Sequence, residues 1–543
     1  MTTKQTKNLR NPFRRRERVV KTRKKYHLYI IIFIIRIIMR DITKLSFMTG
    51  RQIKLLLLLI VISSTTAFAN NIAVSNVRLT GQNTTNHFTL VEFDISWDNS
   101  WRTSVGPSNW DAAWVFVKYR LKTQTTWNHA SLNWVDGTGS GDGHTVPTNA
   151  TIASANDNGS GNSYGVFIYR NADMLQGSVS YNDVQLRWDY GDDGLADGDS
   201  VEVCVFAIEM VYVPQASFEL GSGGSETNHF YKYPTTTNTY TVSNENAITI
   251  GASAGNLYYN ADNSYAGDQA GPIPAAFPKG YDAFYCMKYE ISQVQYAEFL
   301  NKLTTTQDNN RFPNANGNQR QAITGSPGTH TSSNPNVACN YLSWADVAAY
   351  LDWASLRPMT ELEYEKACRG TLAAVANEYP WGTIDLAGSA YTLSNAGATN
   401  EGIATNYSTS AGNASYDASV GGIGGPLRCG IFAANSSNTS RETAGATYYG
   451  IMEMGGNLRE RTVTVGNAIG RAFTGINGDG TLGTSGDANT TNWPSNTATG
   501  VGYRGGYWYS GWSYLRVSDR TYAAKTDNSA NDSLGGRGVR LAP

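Results

Sequence analysis

Between Tyr503 and Arg520 the chain reads YRGGYWYSGWSYLRVSDR, a stretch that few folds can accommodate. Arg504-Gly505-Gly506 puts two residues without Cβ where a backbone must bend sharply or lie against another segment. Tyr507, Trp508, Tyr509, Trp512 and Tyr514 then crowd large rings into one short span. Such a run fills a core wall or lines a cleft, and the rings alone do not say which.

The charge is unevenly distributed. Net charge is −1 over 543 residues, yet residues 1–69 carry 16 Lys/Arg against Glu17 and Asp41. The totals of 43 basic and 44 acidic side chains therefore leave 27 and 42 for residues 70–543, a net of −15. A body of that sign repels phosphate backbones, which argues against nucleic-acid binding. It suits hard cations held by oxygen. Low overall charge and abundant Gly, Asn, Thr and aromatics point to a loop-rich, extracytoplasmic β-type protein.

The basic excess has a reading of its own. Met48 to Lys54, then Leu55 to Ile62, then Ala67-Phe68-Ala69 form the basic, apolar and small-x-small parts of a secretory signal. Cleavage is expected after Ala69, giving a secreted, periplasmic or surface protein. The apolar part is too short to span a bilayer well, so the mature chain is expected to hold no stable membrane span. Residues 1–47 are either a cytoplasmic anchor or sequence upstream of a start at Met48; we adopt the second. Cys204, Cys286, Cys339, Cys368 and Cys429 are odd in number and show no zinc spacing, so they are read as small buried hydrophobes.

Residues 70–207 are expected to form an all-β sandwich. Val91, Phe93, Ile95 and Trp97 alternate with polar residues; Val115, Val117, Tyr119 and Leu121 are read the same way, as are Val184, Leu186 and Trp188. The last strand runs without a linker into Glu209–Gly221, so residues 70–207 and 208–543 should pack firmly. Ser222 to Pro278 lacks periodicity and is expected to be a surface excursion with one or two strands. Three helices follow. Ser292–Gln295 and Thr360–Glu363 are capping boxes, Ser343–Asp346 is a weaker cap, and Gly370 is a C-cap.

A set of motifs then appears in order: Glu209-Met-Val-Tyr-Val-Pro, Tyr289-Glu290 with Tyr296-Ala-Glu-Phe299, and Tyr341-Leu-Ser-Trp-Ala-Asp346 with Trp353-Ala354. Arg357-Pro-Met-Thr-Glu-Leu-Glu-Tyr-Glu365, Tyr379-Pro-Trp-Gly382, Tyr449 to Asn457, Arg504-Gly-Gly-Tyr-Trp508 and Gly538-Val-Arg540 complete it. Over about 209–543 this resembles the formylglycine-generating enzyme (sulfatase-modifying factor) family. The resemblance implies an α+β, C-type-lectin-like fold rich in irregular loops. In active members two cysteines bind copper and oxidise a sulfatase cysteine. Those positions fall here on Ser510 and Leu515. A serine hydroxyl does not replace a soft thiolate for Cu(I), and leucine is no ligand at all, so copper is not expected. The family's paired tryptophans after Asn457 fall on Arg459 and Arg461, read either as a binding pair for an acidic or glycan ligand or as a solvated face.

Calcium is the family's other ion. Asn395, Asp417 and Asn457 fall near its oxygen ligands, although each also reads as a turn or capping residue. Arg504, Trp508, Trp512 and Tyr514 are the candidate binding cleft. The expected function is a noncatalytic binding or structural component of the envelope, holding an envelope protein, peptide or glycan. The competing function is a formylglycine-generating oxidase.

Overall fold

The computed structural model describes residues 71–543 apart from 138–140, 261–264, 316 and 421. The 1–47 extension, the expected signal sequence at 48–69 and the expected cleavage after Ala69 lie outside the described residues. The described residues cluster within one compact unit. The architecture is mixed α and β with sheet dominant.

Among the described residues, two large sheets carry the fold. A five-stranded antiparallel sheet orders Ala73–Asn83, Phe88–Arg102, Met174–Trp188, Leu132–Asn133 and Asn162–Ser163. A ten-stranded sheet orders Val501–Arg504, Glu460–Val463, Arg357–Thr360, Gly538–Leu541, Phe284–Met287, Val201–Val213, Asp111–Leu121, Val166–Arg170 and Ala150–Ala153, with Asn128–His129 also on Asp111–Leu121. The expected division at 207/208 falls inside Val201–Val213. That strand pairs with Asp111–Leu121 from Val201↔Leu121 to Val211↔Asp111, and with Phe284–Met287 from Met210↔Met287 to Val213↔Phe284. A strand shared in this way is the firmest join two segments can make, because each contributes backbone hydrogen bonds to one ladder.

Asp111–Leu121 differs from its expected pattern. It is buried on both faces along most of its length. Ala113, Val115 and Val117 pack with Val91, Phe93, Val184 and Leu186 of the five-stranded sheet. Ala112, Trp114 and Phe116 face the other way, into the core built by Tyr296, Phe299, Leu300, Tyr350 and Trp353. The intervening residues are therefore apolar as well, which is how a strand covered on both sides reads. The Trp114 indole N–H is satisfied across the core by the Ala354 carbonyl at 2.8 Å.

The three expected helices form at Gln293–Leu300, Trp344–Trp353 and Glu361–Arg369. Ser292, Ser343 and Thr360 each make a full capping box, so the Ser343 cap is as complete as the others. Gly370 ends the third helix at φ +66°, a conformation that favours glycine. A further helix, Thr305–Arg311, starts on a Thr304–Gln307 box. Residues 222–278 are not a surface excursion. Short strands at Phe230–Lys232, Tyr240–Val242 and Leu257–Tyr259 bury Phe230, Val242, Leu257, Tyr259, Ile273 and Phe277 against Leu362, Val463 and Phe473. Among the described residues no helix is long and apolar enough to cross a membrane.

Candidate functional site

Strand Val501–Arg504 pairs antiparallel with Glu460–Val463 and delivers the chain to Gly505 and Gly506. Both glycines have positive φ, +83° and +70°, and both are hemmed in. A Cβ on Gly505 would stand 2.6 Å from the Met454 carbonyl oxygen, and one on Gly506 would stand 2.8 Å from the Leu515 side chain. The turn holds the next segment against the Asn457 loop. Gly456 N–H donates to the Gly505 carbonyl at 2.6 Å, and Trp508 N–H donates to the Asn457 carbonyl at 2.8 Å.

This turn sorts the rings into two groups. Trp508 is buried with Tyr289, Leu427 and Leu458, and its indole N–H donates to the Asp532 carbonyl at 3.0 Å. Tyr509 and Trp512 face outward, 61% and 54% exposed. The Arg516 guanidinium lies 4.7 Å over the Trp512 ring, and Tyr514 stacks on Tyr522 at 5.6 Å. Arg459 is half-buried between Tyr507 and Tyr522, at 4.6 and 4.9 Å. The result is an exposed aromatic face stiffened by guanidinium stacking. Arg461, by contrast, is buried and donates to the Asp527 carbonyl at 2.6 Å. The two arginines thus form neither a ligand-binding pair nor a solvated face.

Arg504 lines a small recess together with Tyr503, Tyr514 and Tyr522. Its guanidinium is buried and bound to Glu361 at 3.2 Å and Glu365 at 2.8 Å. Arg520 bonds the same Glu361 at 2.7 Å from Nε and lies 4.0 Å from the rings of Phe230 and Tyr259. Burial pushes the Glu361 carboxyl up, but Arg520 and Arg504 outweigh it and hold it below its ordinary value. These groups support the face from behind.

Ser510 and Leu515 have separate surroundings. The Ser510 hydroxyl accepts the Tyr507 N–H at 3.0 Å, and its carbonyl accepts the Asp417 N–H at 3.1 Å. Leu515 ends the short 3-10 turn Trp512–Leu515 and is fully buried with Tyr379, Trp381, Ala414 and Tyr416. Copper does not fit this pair, because one position offers a committed hydroxyl and the other a hydrocarbon. All five cysteines are free thiols, four of them buried. Cys429 packs in the same cluster as Trp508, and burial drives its thiol far up, away from the reactive thiolate.

The three calcium candidates also diverge. Asn395 has φ +50° in the turn between Thr392–Ser394 and Gly402–Thr405, where its carbonyl accepts the Ala398 N–H. Asp417 is exposed at the start of the short helix Asp417–Val420. Asn457 is buried with its groups engaged. Its side-chain oxygen accepts the Leu427 N–H at 2.7 Å, and its amide donates to Glu290. Among the described residues no group of three or more His, Cys, Asp or Glu side chains is placed to hold a metal ion.

Behind Asn457 lies a cluster that the motifs did not reveal. Glu290, Glu453 and Glu460 are all buried, with Arg537 bonded to Glu460 and Arg428 nearby. Burial raises all three carboxyls, with the neighbouring negative Glu460 adding to the effect on Glu290. Glu453 is pushed up to about 7.

Comparison with known proteins agrees with the ordered motifs. The family model described as "Sulfatase-modifying factor enzyme 1-like domain" matches residues 232–542. A formylglycine-generating enzyme of Thermomonospora curvata is 43% identical over 56 residues, covering 10% of this chain and 18% of that protein. One from Bos taurus is 26% identical over 128 residues, covering 19% of this chain and 34% of that protein. The chain therefore spans between about a fifth and a third of the length of these relatives. With more than half its length matched, the chain belongs to the sulfatase-modifying factor enzyme 1-like domain family.

Proposed function

We propose that the protein is a noncatalytic binding or structural component of the cell envelope, built on a formylglycine-generating-enzyme scaffold. The observation that carries this reading is Leu515. The residue in the second cysteine position is a hydrocarbon sealed in an aromatic cluster, so a thiol pair has no second member there. In this reading the copper-binding cysteines of the family are replaced by Ser510 and Leu515. Residues 70–207 form a β-sandwich, and the remainder forms a C-type-lectin-like scaffold. The shared core of the two sheets supports the first assignment. The basic, apolar and small-residue order of 48–69 supports export with cleavage near Ala69. The face formed by exposed Tyr509 and Trp512 with half-buried Tyr514 is the surface for a peptide, glycan or envelope protein.

The test is copper titration together with oxidation of a peptide carrying a sulfatase cysteine motif. The wild type is expected to give neither tight Cu(I) binding nor turnover. Ser510→Cys/Leu515→Cys is expected to gain Cu(I) binding by orders of magnitude, since thiolates are the soft ligands that this ion prefers. Turnover by the wild type would replace this reading with that of a formylglycine-generating oxidase.

Calcium belongs to the same proposal, with the exposed Asp417 carboxylate as its main ligand. Added calcium is expected to raise the melting temperature, and Asp417→Ala to abolish the rise. An equal rise in the variant would remove Asp417 from the site.

A further inference from the structure

A second cleft, remote in sequence from Tyr503–Arg520, opens where strands Phe88–Arg102 and Met174–Trp188 meet the 433–452 loops. Its volume is about 470 Å³, within the range of small-ligand sites. Trp101 and Gln176 line one side; Tyr448, Tyr449, Asn438 and Thr439 line the other. Leu175 stands at the lip, 90% exposed.

The lining contains no Asp or Glu, so a cationic ligand would find no counter-charge. Its two basic groups are both occupied. Lys288 Nζ is held by Glu209 at 2.9 Å and Asp111 at 3.2 Å. Arg441 donates to the carbonyls of Pro380 at 2.9 Å and Ala446 at 3.3 Å. What remains is neutral: indole and phenol rings beside short amides and hydroxyls. Tyr448 and Tyr449 meet edge to face at 4.9 Å. The Tyr449 hydroxyl is buried and has no hydrogen-bond partner among the described residues. It is sealed in the core, so the groups that a ligand meets are those at the cleft surface.

We propose that this cleft binds a neutral oligosaccharide. The C–H face of a pyranose ring is apolar and stacks on an aromatic ring, while its rim of hydroxyls exchanges hydrogen bonds with amides and hydroxyls. Thr439 supplies an exposed hydroxyl, and Gln176 and Asn438, whose amides donate to Asn99 at 2.7 Å and Ala433 at 3.4 Å, keep a second amide hydrogen each. The site is independent of the copper question, because none of its residues belongs to the Ser510–Leu515 turn.

The test uses the full chain and three neutral probes, chitotriose, xylotriose and maltotriose, read by saturation-transfer NMR and tryptophan fluorescence. Saturable binding of at least one probe is expected. Trp101→Leu should weaken it by about tenfold or more, the scale of losing one aromatic anchor. Because Trp101 also packs against Gly450, Thr439→Trp is the second variant. It fills the mouth from an exposed position and should abolish binding without lowering the melting temperature. Ile384→Ala, at an exposed position outside the cleft, should leave binding unchanged. The proposal falls if none of the three probes binds, or if binding survives Thr439→Trp.

Discussion

Glu361→Ala is expected to lower the free energy of unfolding by about 3–5 kcal/mol, the range for removing one partner of a buried ion pair. Glu361 is fully buried and accepts bonds from Arg520 Nε and Nη2 at 2.7 and 2.9 Å, Arg504 at 3.2 Å, Thr464 at 2.8 Å and the Val465 N–H at 2.9 Å. Arg504 would keep Glu365, at 2.8 Å. Arg520 would keep only the faces of Phe230 and Tyr259, which attract a cation but do not replace a carboxylate. Urea unfolding of wild type and variant measures the difference. Because the pair holds the Glu361 carboxyl below its ordinary value, its contribution is present above the unfolded carboxylate range and lost as pH falls through the folded value. A loss under about 1 kcal/mol would mean that water reaches Arg520 and that the group is not the sealed pair described.

The second large effect is a pH dependence of opposite sign. Burial raises the Glu453 carboxyl from 4.5 to about 7, against the opposing pull of Arg537, the Gly430 N–H and Arg428. A carboxyl raised on folding holds its proton more tightly in the folded state. Its contribution is therefore full below the unfolded value and declines as pH rises from about 4.5 to about 7. The full span for one such group is about 3 kcal/mol. Glu290 and Glu460 are raised in the same direction and steepen the slope. Melting temperature is expected to fall between pH 5 and pH 8 in the wild type, and to fall less in Glu453→Gln. A variant as steep as the wild type would assign the slope to other groups.

Short-range signals were readable because their physics is local. Ser292, Ser343 and Thr360 cap helices through partners three residues away, and a capping box is written in the chain. The Thr304–Gln307 box was equally visible, but Thr305–Arg311 carries no apolar stripe to draw attention to it. Asp111–Leu121 looked half-buried because Val115, Val117 and Tyr119 alternate, yet Trp114 and Phe116 are also apolar and face a second core. Residues 222–278 hid their core because strands of three residues are too short to show a period. At the site, composition located the rings but not their facing. Trp508 points inward and Trp512 outward because Gly505 and Gly506 turn the chain, and that turn depends on Met454 and Leu515. The burial of Arg504 was out of reach, since Glu361 lies 143 residues away.

The position of Gly538–Leu541 has a consequence for how the chain is made. This strand lies in the middle of the ten-stranded sheet, flanked by Arg357–Thr360 and Phe284–Met287. Ribosomes release the chain from its amino end, so the segments on either side emerge long before the piece that joins them. Until it arrives, each presents a bare backbone edge of the kind that recruits stray strands. Folding of both flanking segments in one concerted step, once the strand has emerged, would avoid that exposure. Deletion of Gly538–Leu541 should then act as a failure of assembly and leave aggregates rather than a trimmed, working protein.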